Sequence, residues 1–207
     1  MNGILVVDKP SGPTSHDICQ HFKRTLPVKK VGHAGTLDPL ATGVLVILLD
    51  DACKLSQTFM GGDKEYQFTL RLGMTTDTYD SEGKTLEVKE VSADTLENLK
   101  RILKDFIGTI SQVPPAFSAI KKKGVPLYKL ARQGKPVCAD IRTVRIHSLE
   151  IVTAASPEVT LKVSCSCGTY VRSLAHDLGQ RLGCGAHIIQ LRRLRSEPFG
   201  LEGALQL

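Results

Sequence analysis

From Val31 to Gly43 the chain reads VGHAGTLDPLATG, with three glycines, one proline, one imidazole, one carboxylate and no apolar period. Glycine-rich loops can cradle phosphate, so nucleotide binding is the first chemistry to test. The spacing argues against it. A nucleotide-hydrolase loop needs Lys and then Ser or Thr directly after its last glycine, whereas Gly43 is followed by Val44 and Leu45, and the dinucleotide fingerprint lacks its third glycine. The group left to consider is Asp38. Pro39 restricts it to extended backbone and can hold its side chain at a fixed angle. An aspartate so placed is either the head of an Asx turn or a fixed carboxylate for nucleophilic or acid–base work.

The neighbouring elements decide whether this loop is held firmly. Gly3 to Val7 is a short apolar run entering the turn-rich DKPSGP, which predicts a buried strand. Ile18, Phe22 and Leu26 then recur at helical spacing behind Thr14 or Ser15 as cap, and Pro27 ends the pattern. Val44 to Leu49 is strongly apolar and reads as a buried strand, so the Val31–Gly43 loop sits between a helix and a strand. Such a site is suited to chemistry. A short helix through Leu55 and Phe59 precedes an alternating strand, Glu65 to Leu72, and Thr75 to Gly83 reads as a polar loop.

Leu96, Leu99, Leu103 and Phe106 make one helical face, begun near Ser92 and ended by Gly108. From Pro114 to Pro136, prolines, glycines and the run Lys121 to Lys123 predict a long surface excursion with a helical stretch over 127–132. Ile141 to Ile151 and Val159 to Cys167 read as strands, Val171 to Leu182 as an amphipathic helix closed by Gly183, and His187 to Leu194 as a strand carrying arginines. Strands without regular strand–helix alternation indicate an α+β fold with a mixed, largely antiparallel sheet.

Composition narrows the partner. With 42% hydrophobic and 23% charged residues the chain is an ordinary globular one, and a formal charge of +6 with pI near 9.0 favours a polyanion. Six cysteines without a leader or a membrane-length apolar run point to a reduced, cytoplasmic setting with no membrane attachment. Cys165 and Cys167 are one residue apart, not two, and no second Cys or His pair falls at zinc-finger spacing, so no metal is expected.

The Asp38 loop, the strand opening Lys64-Glu65-Tyr66 and the segment Cys167-Gly168-Thr169-Tyr170-Val171-Arg172 together resemble the pseudouridine synthases of the TruB family. The resemblance runs in order along the chain, from Leu5-Val6-Val7-Asp8-Lys9-Pro10 through Gly35 to Gly43 and on to Leu191-Arg192-Arg193-Leu194. It implies the pseudouridine synthase fold with a central catalytic cleft. It also implies isomerisation of the uridine at position 55 in the TΨC loop of tRNA, without a cofactor.

By the same resemblance Asp38 is the essential aspartate, Tyr66 stacks on the target base and Arg172 pairs with the aspartate. His33 supports the loop around the flipped base, Asp80 contacts the flipped nucleotide, and Tyr170 is a second active-site tyrosine. Lys9 and Pro10 form a structural motif bracing the loop. Pro114 to Pro136, with Lys121, looks like the inserted thumb that clamps the T-arm, and Arg192, Arg193 and Arg195 would extend a basic track towards RNA phosphates. Outside the family context Tyr66 would be a core aromatic on an alternating strand, His33 a surface histidine, and the lysines a solvated loop.

The chain is therefore expected to be one catalytic domain over 1–207 without the C-terminal PUA domain common in the family, acting as a monomer with no obligatory protein partner. A target base in a folded RNA must leave its stack to react. Whether Asp38 attacks C6 of the base, attacks C1′ of the ribose or assists through a glycal stays open at this level. So do three other functions: the catalytic subunit of a guide-RNA ribonucleoprotein, a module that only grips RNA, and a hydrolase of phosphorylated small molecules.

Overall fold

The computed structural model describes residues 1–122, 124–134, 137 and 139–207. Lys123 and Pro136 of the expected insert, and Cys138, lie outside the described residues. In chain order the elements begin with β1 (Gly3–Lys9), α1 (Ser15–Thr25), β2 (Val31–Ala34), β3 (Thr42–Leu49), α2 (Ser56–Gly61) and β4 (Lys64–Leu72). They continue with β5 (Met74–Thr76), β6 (Thr85–Val88), α3 (Thr95–Ile102), β7 (Gly108–Gln112), β8 (Lys121–Lys122), β9 (Val125–Pro126) and α4 (Leu127–Arg132). The chain closes with β10 (Arg142–Ala155), β11 (Glu158–Cys165), α5 (Val171–Leu182), β12 (Ala186–Ser196), β13 (Phe199–Gly200) and β14 (Leu205–Gln206). Single 3-10 turns at Asp50–Leu55 and Leu103–Phe106 precede α2 and follow α3.

Two compact units are formed: Met1–Gln67 with Val163–Cys167 and Gln190–Leu207, and Phe68–Lys162 with Gly168–Ile189. Strands β4, β11 and β12 each contribute residues to both. In the first unit the strand order is β14-β1-β3-β12, with β2 also on β3 and β13 on β12. β1 runs antiparallel to β3, while β12 joins β3 in parallel, pairing Arg192 with Thr42 and Arg193 with Gly43. Its core is an apolar cluster of Ala34, Val44, Val46, Leu48 and Ala52, flanked by Ile4, Val6 and Phe59. In the second unit β10 pairs antiparallel with β7, and Leu99 of α3 and Leu174 and Leu178 of α5 are fully buried. Parallel and antiparallel ladders with few helices make the large mixed sheet that was expected.

Several boundaries differ from expectation. Val31–Ala34 is a strand, not a loop, because β3 offers it a ladder from Val31↔Leu49 to Ala34↔Val46. Two of the residues expected in the Thr75–Gly83 loop belong to β5, which pairs with β6, a strand whose side chains are exposed and carry no buried period. The insert from Pro114 onward is not wholly superficial: Pro114, Pro115, Ser118, Leu127 and Ala131 are buried. Within the insert, Leu127 N–H donates to Ile120 O at 2.8 Å and Tyr128 N–H to Ser118 O at 3.1 Å. Thr14 is the cap of α1, in a reciprocal capping box with Asp17, which leaves the neighbouring Ser15 hydroxyl for another use.

Candidate active site

Asp38 is half-buried and opens a turn closed by Ala41 N–H donating to Asp38 O at 3.1 Å. Three contacts hold the residues on either side of it. The buried Ser15 hydroxyl accepts from Leu37 N–H at 2.8 Å and donates to Leu37 O at 3.1 Å. Gly12 N–H donates to Pro39 O at 2.9 Å. Lys9, fully buried, donates through Nζ to the same Pro39 carbonyl at 3.2 Å and to Pro10 O at 2.8 Å. A carboxylate flanked by bonded backbone on both sides has few ways to turn aside.

Arg193 closes the site from β12. It is 1% exposed and donates from Nε to Val44 O at 2.7 Å and from Nη2 to Gly35 O at 3.0 Å, the latter inside the Asp38 loop. β12 approaches β3 so closely here that a Cβ on Gly43, whose φ is +99°, would overlap the Arg193 backbone. Glycine is thus required at position 43 by both conformation and space. The expected exposed track of three arginines is corrected: Arg193 points inward because alternate strand residues share a face, and Leu191 and Arg193 both face in. Arg192, on the opposite face, forms a forked ion pair with Asp8 at 2.6 and 3.0 Å.

Tyr66 is half-buried on β4. Burial pushes the phenol above its ordinary pKa; Arg193 opposes the rise by charge and by a polar contact, while Cys165 and Asp38 add to it. His33 on β2 is shifted the other way. Burial lowers its pKa first, with Arg193 and His16 adding to the effect, and its Nδ1 is buried without a hydrogen-bond partner among the described residues. The imidazole is therefore neutral near pH 7. Asp38, Tyr66, His33, Lys9 and Arg193 all belong to the first unit.

The second unit assembles Arg172, Asp80 and Tyr170. Arg172, buried at the start of α5, lies 3.4 Å from Asp80 and donates to Thr78 O at 2.9 Å and Phe117 O at 3.0 Å. Asp80 also accepts from Thr78 Oγ1 at 2.6 Å and from Glu82 N–H at 3.0 Å. Tyr79 between them has φ +63° and stacks on His176 with centroids 3.9 Å apart. Tyr170 is fixed by its backbone, which exchanges two bonds with the buried Gln112 side chain at 2.8 and 3.0 Å. Lys121 is exposed on β8, and Pro10 is exposed at the end of β1.

Residues 23–171 match the family model described as TruB family pseudouridylate synthase, N terminal domain, and residues 172–207 match the tRNA pseudouridylate synthase B C-terminal domain. Over all 207 residues the chain is 48% identical to tRNA pseudouridine synthase B of Syntrophotalea carbinolica, spanning 68% of that protein. Identity is 50% to the same enzyme of Geotalea uraniireducens, spanning 67% of it, and 45% to that of Opitutus terrae, spanning 86%. The chain belongs to the TruB family.

Among solved structures, a chain of a Cbf5-Nop10-Gar1 complex superposes with a TM-score of 0.76 at 33% identity, covering 99% of this chain and 52% of that one. A chain of an H/ACA RNP bound to a substrate RNA containing 2′-deoxyuridine gives 0.73 at 30%, covering 99% and 50%. The TruB chain thus spans about half the length of those two structural relatives, and the pseudouridine synthase fold is the fold observed. Two residues of this TruB site escaped the sequence reading. Ser15 was taken only as a cap, and Arg193 as surface charge; the two-residue period of β12, which aligns Arg193 with Leu191, was the available signal for the second.

Proposed function

We propose that this chain converts uridine to pseudouridine at position 55 in the TΨC loop of tRNA, with Asp38 as the catalytic carboxylate. The reaction breaks the bond from N1 to C1′, forms one from C5 to C1′, and exchanges a proton at C5 for one at N1. No atom is lost and nothing is oxidised, so a single well-placed carboxylate and a proton-handling group suffice. The observation that carries the reading is the Asp38 turn, gripped through Leu37 and Pro39, in a chain matching the family along its length.

Each remaining residue takes the role its family position implies. Tyr66 stacks on the extruded uracil and moves a proton late in the reaction, and Arg172 pairs with Asp38. Neutral His33 supports the loop around the flipped base and takes no proton itself. Asp80 and Tyr170 contact the nucleotide; Lys121 in the 114–136 thumb and Arg192 hold phosphates; Lys9 and Pro10 brace the loop. Among the described residues no helix is long and apolar enough to cross a membrane. The enzyme is proposed to work as a cytoplasmic monomer on the T-arm, and a sedimentation mass of twice the chain mass would overturn the monomer.

A second reading is favoured by the assemblies in which the structural relatives were solved: a catalytic subunit directed by protein partners and a guide RNA. Tritium release from an unmodified tRNA transcript carrying 5-tritiated uridine separates the two. Release by the protein alone, lost in Asp38→Asn with tRNA binding retained and lost when position 55 is cytidine, is the expected result. Absence of release from folded wild type would move the assignment to the guided reading.

A further inference from the structure

The Arg192 guanidinium is only partly used. Its end-on edge forks onto Asp8, Nη1 donating to Oδ1 at 3.0 Å and Nη2 to Oδ2 at 2.6 Å, and Nη1 also donates to Thr42 Oγ1 at 3.3 Å. A guanidinium carries five N–H donors, so Nε–H and the outer N–H of Nη2 are left, parallel to each other on the adjoining edge. Among the described residues neither has an acceptor, and Nε is not enclosed by protein. The Arg192 side chain is 39% exposed against 13% for Asp8, so the pair is anchored at the carboxylate end and open at the other. Asp8 is itself held by Gln206 Nε2 at 3.3 Å. Burial would raise the Asp8 pKa, but the bonds from Arg192 and Gln206, the Arg192 charge and the Gly43 backbone bring it below the ordinary value, so both partners are ionised at pH 7. All four residues belong to the first unit, and Arg192 sits in register with Thr42, at the end of the Asp38 loop.

Resting on the reading that the substrate is RNA and that Arg192 holds a phosphate, we infer that Asp8 is the positioning residue of a phosphodiester site whose binding group is the open Nε–Nη2 edge of Arg192. Two parallel N–H groups match two oxygens of one phosphodiester, as the other edge matches the two oxygens of Asp8. An unrestrained arginine loses rotamer freedom when it grips a phosphate. Here Asp8 and Thr42 have already fixed the side chain, so that loss is incurred in folding and not in binding. Charge alone gives a different answer. The ionised pair is neutral overall and Asp8 repels RNA, so removing its charge would tighten binding if the field decided the matter. Positioning and field therefore predict opposite signs for the same substitution.

The test measures the affinity of the full chain for a T-arm RNA hairpin, by fluorescence anisotropy, in Arg192→Gln, Asp8→Asn and the double variant. Arg192→Gln should weaken binding roughly 10-fold, the scale of one charge-assisted fork. Asp8→Asn should weaken it by less, roughly 3-fold, as the ordering of one long side chain returns to the binding step. In the Arg192→Gln background Asp8→Asn should have no further effect, because it acts through the arginine. Tighter or unchanged binding in Asp8→Asn, or an equal loss in both backgrounds, overturns the inference. Should Asp8→Asn fail to fold, NMR of isotope-labelled arginine in the native chain decides: the Arg192 Nε–H signal, assigned by its loss in Arg192→Gln, must shift when the hairpin is added, and a signal that stays still overturns the inference. Anisotropy and NMR involve no turnover. A wild type that binds the hairpin but releases no tritium from tRNA defeats the functional reading and leaves this one standing, whereas a wild type that does not bind the hairpin overturns this one.

Discussion

The two units handle buried charge in opposite ways. In the first, Lys9 and Lys64 are buried and donate to carbonyls, Lys9 to Pro10 O and Pro39 O and Lys64 to Met60 O and Gly62 O at 2.6 and 2.5 Å. Arg193 follows the same rule with Val44 O and Gly35 O. In the second, Arg172 has a carboxylate, Asp80, at 3.4 Å with both side chains about 95% buried. A carbonyl fixes a cation in place without cancelling its charge, so its field still acts on neighbouring anions; a carboxylate does both. Carbonyl oxygens thus hold the buried cations around the Asp38 loop, and in the second unit a carboxylate-paired arginine sits at the Thr76–Asp80 turn.

The largest effect should come from breaking the neutralised pair. Arg172→Met removes the cation beside a buried carboxylate and should destabilise the fold by about 3–5 kcal/mol, read from the denaturant midpoint at constant slope. Lys9→Met should be milder, about 1–3 kcal/mol, the scale for removing the donor to the Pro10 and Pro39 carbonyls. Its turnover should nevertheless fall by more than its tRNA binding, since Pro39 loses a brace; equal stability losses for the two substitutions would erase the distinction between the units.

The smallest effect concerns Asp177, on the same helix as Arg172 but without a cation in contact among the described residues. Burial pushes its carboxyl from 3.8 up to about 6. The folded state binds this proton more tightly than the unfolded one, so the group favours folding below the unfolded pKa and that contribution is lost as pH rises through about 6. Asp177→Asn should accordingly stabilise the protein by about 1–2 kcal/mol at pH 7, with the gain vanishing below about pH 4, in denaturant titrations at the two pH values. A gain independent of pH would assign the effect to packing instead.

Much of the fold was legible because several segments carry an uninterrupted period. The α5 residues Val171, Leu174, Ala175 and Leu178 line its buried face and Gly183 caps it at φ +82°, as the spacing requires. On β4, Phe68, Leu70 and Leu72 are buried as alternation predicts. β2 was missed since Gly32 interrupts its pattern and its stability comes from β3, a partner across the intervening loop. The Pro114–Pro136 segment reads as surface from its prolines and lysines, yet Arg172 Nη2 donates to Phe117 O at 3.0 Å. Composition counts residue types; it does not know which backbone carbonyl a distant arginine will reach.

The ordered motifs by themselves determined the family and singled out Asp38 and Tyr66 as the candidates for carboxylate and stacking tyrosine, because residue type and spacing are what chemistry in a loop requires. Only the tertiary structure decided which face of β12 turns inward, that Ser15 holds Leu37 instead of capping α1, and that Arg193 reaches into the Asp38 loop. Those contacts join residues more than twenty, and in one case more than one hundred and fifty, positions apart. Pairing of strands distant in sequence creates them, and no local pattern encodes the partner.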